Sequence, residues 1–93
     1  MDVVGAERWG FYNRLAEPDA LLPAATTLAE SIAAGPTFAH AMTKKCLHEE
    51  WHLSVDDAIS TEARVQAMCM DTEDFARGYR AFLEKRAPTF EGD

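Results

Sequence analysis

Apolar residues along most of the chain recur at helical spacing, and small polar or turn-forming residues cut that pattern into segments. After Pro18, Asp19 can cap a helix in which Leu21, Ala25, Leu28 and Ile32 form one apolar stripe. Gly35 ends it. Pro36 opens the next helix, where its missing N–H is not needed, and the periodicity predicts a run to about Trp51 with Phe38, Ala39, Met42 and Cys46 inward. Ser54 and Asp57 resemble a capping box at the head of a third helix, whose Val55, Ile59, Ala63 and Ala67 share a face. Thr72 caps a fourth, with Glu73 and Asp74 in its first turn and Lys85 and Arg86 near its end, as the helix dipole favours. Phe75, Tyr79, Phe82 and Leu83 are expected to be its buried side. Gly78 in mid-helix costs about 1 kcal/mol relative to Ala, which predicts a close approach of another group there. Upstream, Trp9 to Leu15 alternates in part, which reads as a short strand near residues 11–15 without a pairing partner elsewhere in the sequence.

The fold class expected is therefore all-α, four helices preceded by one short N-terminal strand. With 93 residues, 47% hydrophobic composition and a net charge of −7, the chain suits one small folded unit. Sixteen acidic residues against nine scattered basic ones argue against nucleic acid as a partner. No apolar run is long enough to span a bilayer, and the first residues have neither the basic start nor the apolar core of a signal peptide, so a cytoplasmic location is expected. Cys46 and Cys69 lack a C-x-x-C arrangement and read as small hydrophobes on helix faces.

The sharpest chemical motif is His48-Glu49-Glu50-Trp51-His52, which matches H-E-x-x-H and in isolation proposes a zinc peptidase. No Gly-x-x-His follows it, the flanking Lys44-Lys45 and Leu53-Ser54 suggest an exposed helix end, and a third ligand could come only from a later carboxylate such as Glu62 or Glu73. The expectation is no metal. Ser31, Ser54 and Ser60 have no His and Asp placed to activate them, and no glycine-rich phosphate loop is present, so no catalytic residue is assigned. Lys85 and Arg86, beside Phe82 and ahead of Phe90, could hold a phosphorylated ligand by charge and stacking, although dipole complementarity and aromatic packing explain the same residues.

Several motifs in order resemble the enoyl-CoA hydratase/isomerase (crotonase) family. Ala6 to Leu15 is similar to the family's A-x-x-x-Gly-Leu-Val-Asn-x-Val segment, Leu28 to Pro36 to its Ala-x-x-Ile-Ala-x-Gly-Pro junction, and Thr43-Lys44 to the Thr-Lys that follows. Glu62-Ala63 and the closing Thr72-Glu73-Asp74, Gly78 and Phe82-x-x-Lys85-Arg86-x-Pro88-x-Phe90 complete the series. The resemblance covers nearly the whole chain, with Phe11-Tyr12 replacing the usual small aliphatic residues and Trp51 standing where the family varies.

The resemblance implies residues 1–18 as a remnant of the family's core and 19–93 as its C-terminal helical region, which covers the active site and builds the subunit interface. The catalytic ββα spiral, with its two carbonyl-polarising N–H groups and acid/base carboxylates, would lie upstream, so the chain is not expected to catalyse alone. By motif, Phe82 and Lys85 would contact the adenine and 3′-phosphate of coenzyme A, whose thioester is substrate; no resident cofactor is implied. Self-association as a dimer or trimer is expected, and a stand-alone helical interaction module is the alternative reading.

Overall fold

All four expected helices form, and a short fifth precedes them. The computed structural model describes residues 1–93 as α1 (Val3–Arg8), α2 (Leu21–Ala33), α3 (Thr37–Glu49), α4 (Val55–Met70) and α5 (Glu73–Leu83), with a 3₁₀ turn at Glu50–His52 between α3 and α4. The chain divides into two compact units, Met1–Ser31 and Ile32–Asp93. No helix is long and apolar enough to cross a membrane.

The all-α expectation holds, but the strand near residues 11–15 does not form. An isolated extended segment has no ladder to satisfy its backbone, and the preceding helix captures its first donor instead. Trp9 caps α1, Gly10 takes φ +78, and the N–H groups of Gly10 and Phe11 donate to the carbonyls of Glu7 and Ala6 at 2.8 and 2.9 Å. This is a Schellman closure, with glycine in the left-handed position that glycine tolerates best. Phe11 then stacks edge-on against Tyr12, their centroids 4.9 Å apart. Within this unit α2 begins at Leu21 after a turn in which the Ala20 N–H donates to the Glu17 carbonyl. Pro23 falls in its first turn, where no amide hydrogen is required.

In the second unit the local start and stop signals read from the sequence operate as expected. Gly35-Pro36 separates α2 from α3, and the place where a Gly35 side chain would begin lies 2.5 Å from His40 Nε2, so a β-carbon there would push that imidazole aside. At the head of α4 the Asp57 N–H donates to Ser54 Oγ at 3.1 Å, while Ser54 Oγ donates back to Asp57 Oδ2 at 2.8 Å. Thr72 serves two helices at once. Its hydroxyl donates to the Cys69 carbonyl at the end of α4 and accepts from the Phe75 N–H at the start of α5.

Burial departs further from the pattern. In α3, Cys46 is buried and Phe38, Ala39 and Met42 are half-buried, as expected. In α4 the face packed between α3 and α5 is Ala58, Thr61, Val65 and Cys69, one step round from the anticipated stripe, and Val55 is 75% exposed. In α5 the buried positions are Asp74 and Ala81, whereas Phe75, Tyr79, Phe82 and Leu83 are exposed. Fully buried apolar side chains amount to Ala6, Cys46 and Ala81. The accessible surface is 7789 Å² for 10.3 kDa. A compact monomer of that mass exposes about 5,400 Å², and even two separate bodies of the sizes of the two units would expose about 6,400 Å². The helices are thus amphipathic without finding cover for their apolar faces inside this chain.

Beyond α5 the chain turns back along it. The Phe90 ring lies against Gly78, 3.5 Å from where a β-carbon would stand, and Gly92, at φ +85, passes 2.7 Å from Thr37 Oγ1 by the same measure. The close approach expected at Gly78 is present, at ordinary van der Waals distance. Gly78→Ala is therefore expected to raise stability by roughly 0.5–1 kcal/mol through helix propensity alone, and Gly92→Ala to lower it by about 1 kcal/mol through left-handed strain. Paired thermal melts followed by circular dichroism check both signs; a loss of stability in Gly78→Ala would mean that the ring cannot yield.

Candidate functional site

Two constellations in the second unit carry polar chemistry, one at each end of α5, and a third lies between α3 and α4. At the N-terminal end Asp74 occupies the first turn of α5 and is only 2% exposed. A carboxylate so placed requires full satisfaction. It accepts the Glu91 N–H on Oδ1 and the Gly92 N–H on Oδ2, both at 2.8 Å, and Arg77 Nη1 donates to Oδ1 at 2.6 Å. The Asp74 N–H, one of the donors that a helix start leaves free, donates in turn to the Asp93 carbonyl at 2.8 Å. Arg77 also bonds Asp93 and reaches Glu91 Oε2 at 3.4 Å. This clasp holds the tail against α5 and closes an apolar groove of about 290 Å³ lined chiefly by Phe38, Ala39, Cys69, Phe75, Tyr79 and Phe90.

At the other end the last turn closes by a second Schellman motif. Glu84 caps the helix, the Lys85 N–H donates to the Phe82 carbonyl at 3.2 Å, and the Arg86 N–H donates to the Ala81 carbonyl at 3.0 Å. Lys85 holds the left-handed position with φ 53, the one non-glycine residue of the chain with positive φ. Lys85 and Arg86 thus follow the helix rather than lie in its last turn. Phe82 is 78% exposed beside this turn, Arg86 pairs with Glu84, and Lys85 forms no ion pair. An exposed aromatic face and an uncommitted cation therefore stand together at one helix end, an arrangement able to stack a planar base and attract an anion.

The H-E-x-x-H residues do not keep one α-helical face. His48 lies in the last turn of α3 and His52 in the 3₁₀ turn, where three residues complete a revolution. What the fold brings together nearby is a different set. Cys46, Glu50 and Glu62 place one ligand atom each within 4.8 Å of one another. Cys46 is 3% exposed and free, and Glu50 Oε1 is buried without a hydrogen-bond partner. Burial first, and then the neighbouring Glu62, push the Glu50 carboxyl above the ordinary carboxylate range. Burial and the same carboxylates raise the Cys46 thiol. Reading the sequence missed this set, because its members belong to two helices; the i, i+4 spacing of Cys46 and Glu50 was the one local sign.

The Enoyl-CoA hydratase/isomerase family profile matches residues 1–93. The crotonyl-CoA hydratase of Syntrophomonas wolfei is 34% identical over 92 residues, covering 96% of this chain and 35% of that protein. The mevalonyl-coenzyme A hydratase of Aspergillus fumigatus is 39% identical over 84 residues, covering 88% of this chain and 31% of that protein. Among solved structures, an enoyl-CoA hydratase from Mycobacterium marinum superposes with a TM-score of 0.88 at 34% identity, over all of this chain and 37% of that one. The chain spans about a third of the length of the curated relatives it matches.

Burial raises the Asp74 carboxyl, but the Glu91 N–H, the Arg77 guanidinium and the Gly92 N–H outweigh it and leave it below the ordinary carboxylate range. The Arg77 bond lowers Asp93 in the same direction. Because both folded values lie below the unfolded ones, the clasp contributes fully above about pH 4 and is lost as pH falls through the folded values. The Glu91 and Gly92 amide protons are expected to be protected from exchange at pH 6 and to lose protection as pH falls through the lowered folded values. In Asp74→Asn they are expected to be poorly protected at both, and protection in that variant equal to that of the unsubstituted chain at pH 6 would contradict the assignment.

Proposed function

We propose that this chain, which belongs to the enoyl-CoA hydratase/isomerase family, serves as the C-terminal helical region of an acyl-CoA hydratase or isomerase. In this reading it covers part of an active site whose catalytic groups lie outside it, joins subunits, and offers Phe82 and Lys85 to coenzyme A. The observation that carries the coenzyme A contact is the conformation of Lys85. A C′ position in the left-handed region suits glycine, and a lysine there costs about 1 kcal/mol. Strain of that kind concentrates at functional sites. It supports a role for the side chain, which stands free of any carboxylate beside an exposed aromatic ring. Adenine can stack on Phe82 while the 3′-phosphate pairs with Lys85. Catalysis needs oxyanion donors and acid/base groups in an enclosed pocket, and the sequence assigns none to these helices.

Adenosine 3′,5′-bisphosphate carries the adenine and the 3′-phosphate without the pantetheine arm. It is expected to shift the Phe82 and Lys85 resonances with a Kd on the order of 1 mM. Adenosine 5′-monophosphate is expected to bind about fivefold more weakly, the loss of one surface charge pair. Lys85→Gly is expected to bind the bisphosphate as weakly while gaining about 1 kcal/mol of stability, opposite signs that a merely structural lysine would not produce. Equal binding of the two nucleotides, or shifts elsewhere, would remove the reading.

Subunit joining rests on the uncovered apolar faces. Trp51 is 87% exposed and Phe82 78%, and the surface in excess of a compact fold exceeds 1,000 Å² on either estimate. At about 25 cal/mol per Å² even a few hundred Å² of apolar burial outweighs the smaller estimates of association entropy. A dimer or trimer is expected in sedimentation velocity at micromolar chain concentration, with the exposed α5 face a candidate contact. A folded monomer persisting to high concentration would argue against it.

A further inference from the structure

We propose that Cys46, Glu50 and Glu62 form a binding site for one zinc-class divalent cation between α3 and α4. The argument starts from the placement of the donors. Cys46 stands in the last turn of α3, Glu50 opens the 3₁₀ turn that follows it, and Glu62 meets them from α4, with one ligand atom of each within 4.8 Å of the others. A thiol and two carboxylates are a borderline-soft ligand set, which suits zinc or cobalt better than calcium or magnesium.

Two further observations point to a ligand rather than to an ordinary acidic surface. Cys46, almost wholly buried, is free, and Glu50 Oε1 is a buried acceptor that no fixed donor meets and that faces another carboxyl, that of Glu62. A buried acceptor left in that state is costly, and a cation is the partner that would relieve Glu50 and Glu62 together. Cys46 and Glu62 also line a cavity of about 290 Å³, together with Val65, Gln66 and Cys69, so the fourth coordination position would open into space that admits a water or an exogenous ligand. Tetrahedral zinc separates its ligand atoms by roughly 3.5 Å, so the observed 4.8 Å limit is closed by side-chain shifts of about 1 Å, without moving either helix. On binding, the Cys46 S–H bond breaks and the sulfur forms the metal bond, the proton shared by Glu50 and Glu62 is displaced, and both protons pass to solvent; nothing is oxidised or reduced. This site is independent of the coenzyme A reading and uses neither His48 nor His52.

Cobalt(II) titration of the reduced full chain tests the assignment, because a thiolate–cobalt bond gives a near-ultraviolet charge-transfer band that carboxylate or imidazole ligation lacks. One equivalent of cobalt is expected to develop the band and zinc to displace it. Cys46→Ser is expected to abolish it. Glu62→Gln, at an exposed position that can change without disturbing the core, is expected to keep the fold and weaken cobalt at least tenfold. The double variant His48→Ala, His52→Ala is expected to bind as the unsubstituted chain does. Absence of the band at millimolar cobalt, its survival in Cys46→Ser, unchanged affinity in Glu62→Gln, or its loss in the histidine double variant would each overturn the proposal. In the first case the two carboxyls are held together by a shared proton alone.

Discussion

The second unit depends on the satisfaction of one buried carboxylate. Asp74 leaves water at the start of α5, and each of its oxygens then has to be met by a fixed donor, which Arg77 and the main chain of the tail supply. That requirement sets the path of the last residues. Phe90 is carried over Gly78, Gly92 past Thr37, and the groove beside Phe38 and Tyr79 acquires its outer wall. With so few apolar side chains fully buried, polar closure of this kind does much of the positioning that a larger core would otherwise do.

Helix ends show the same economy. Two Schellman closures occur, and their left-handed positions hold Gly10 in one and Lys85 in the other. Gly10 has open space around its α-carbon, so backbone freedom is what the position uses. At Lys85 the backbone bears the strain and the side chain is what remains to explain it, which is why the end of α5 merits the functional reading more than its buried face does.

Caps and helix boundaries were legible in the sequence because each rests on residues no more than three apart: Ser54 with Asp57, Thr72 with Phe75, Gly35 beside Pro36. Facing was less legible. The stripe of Val55, Ile59, Ala63 and Ala67 is real as a pattern, yet which side of α4 becomes buried is decided by α3 and α5, and a hydrophobic stripe does not name its partner. The strand reading failed on local grounds. Alternation from Phe11 to Leu15 carried no ladder, while Gly10 after Ala6-Glu7-Arg8-Trp9 is a helix-closing signal of the kind recognised at Gly35. Asp74 was assigned to dipole complementarity, and its larger role depends on amides 17 and 18 residues away. The Cys46, Glu50 and Glu62 set was hidden for the same reason, since it exists only once α3 and α4 pack against each other.

The clasp also constrains how the molecule can be handled. Asp93 lends its carbonyl to the first turn of α5 and its side chain to Arg77, so anything joined after it must leave from the mouth of that network. An affinity tag, fluorophore or fusion partner fixed there would begin within reach of Arg77, and an acidic one would compete for the same guanidinium.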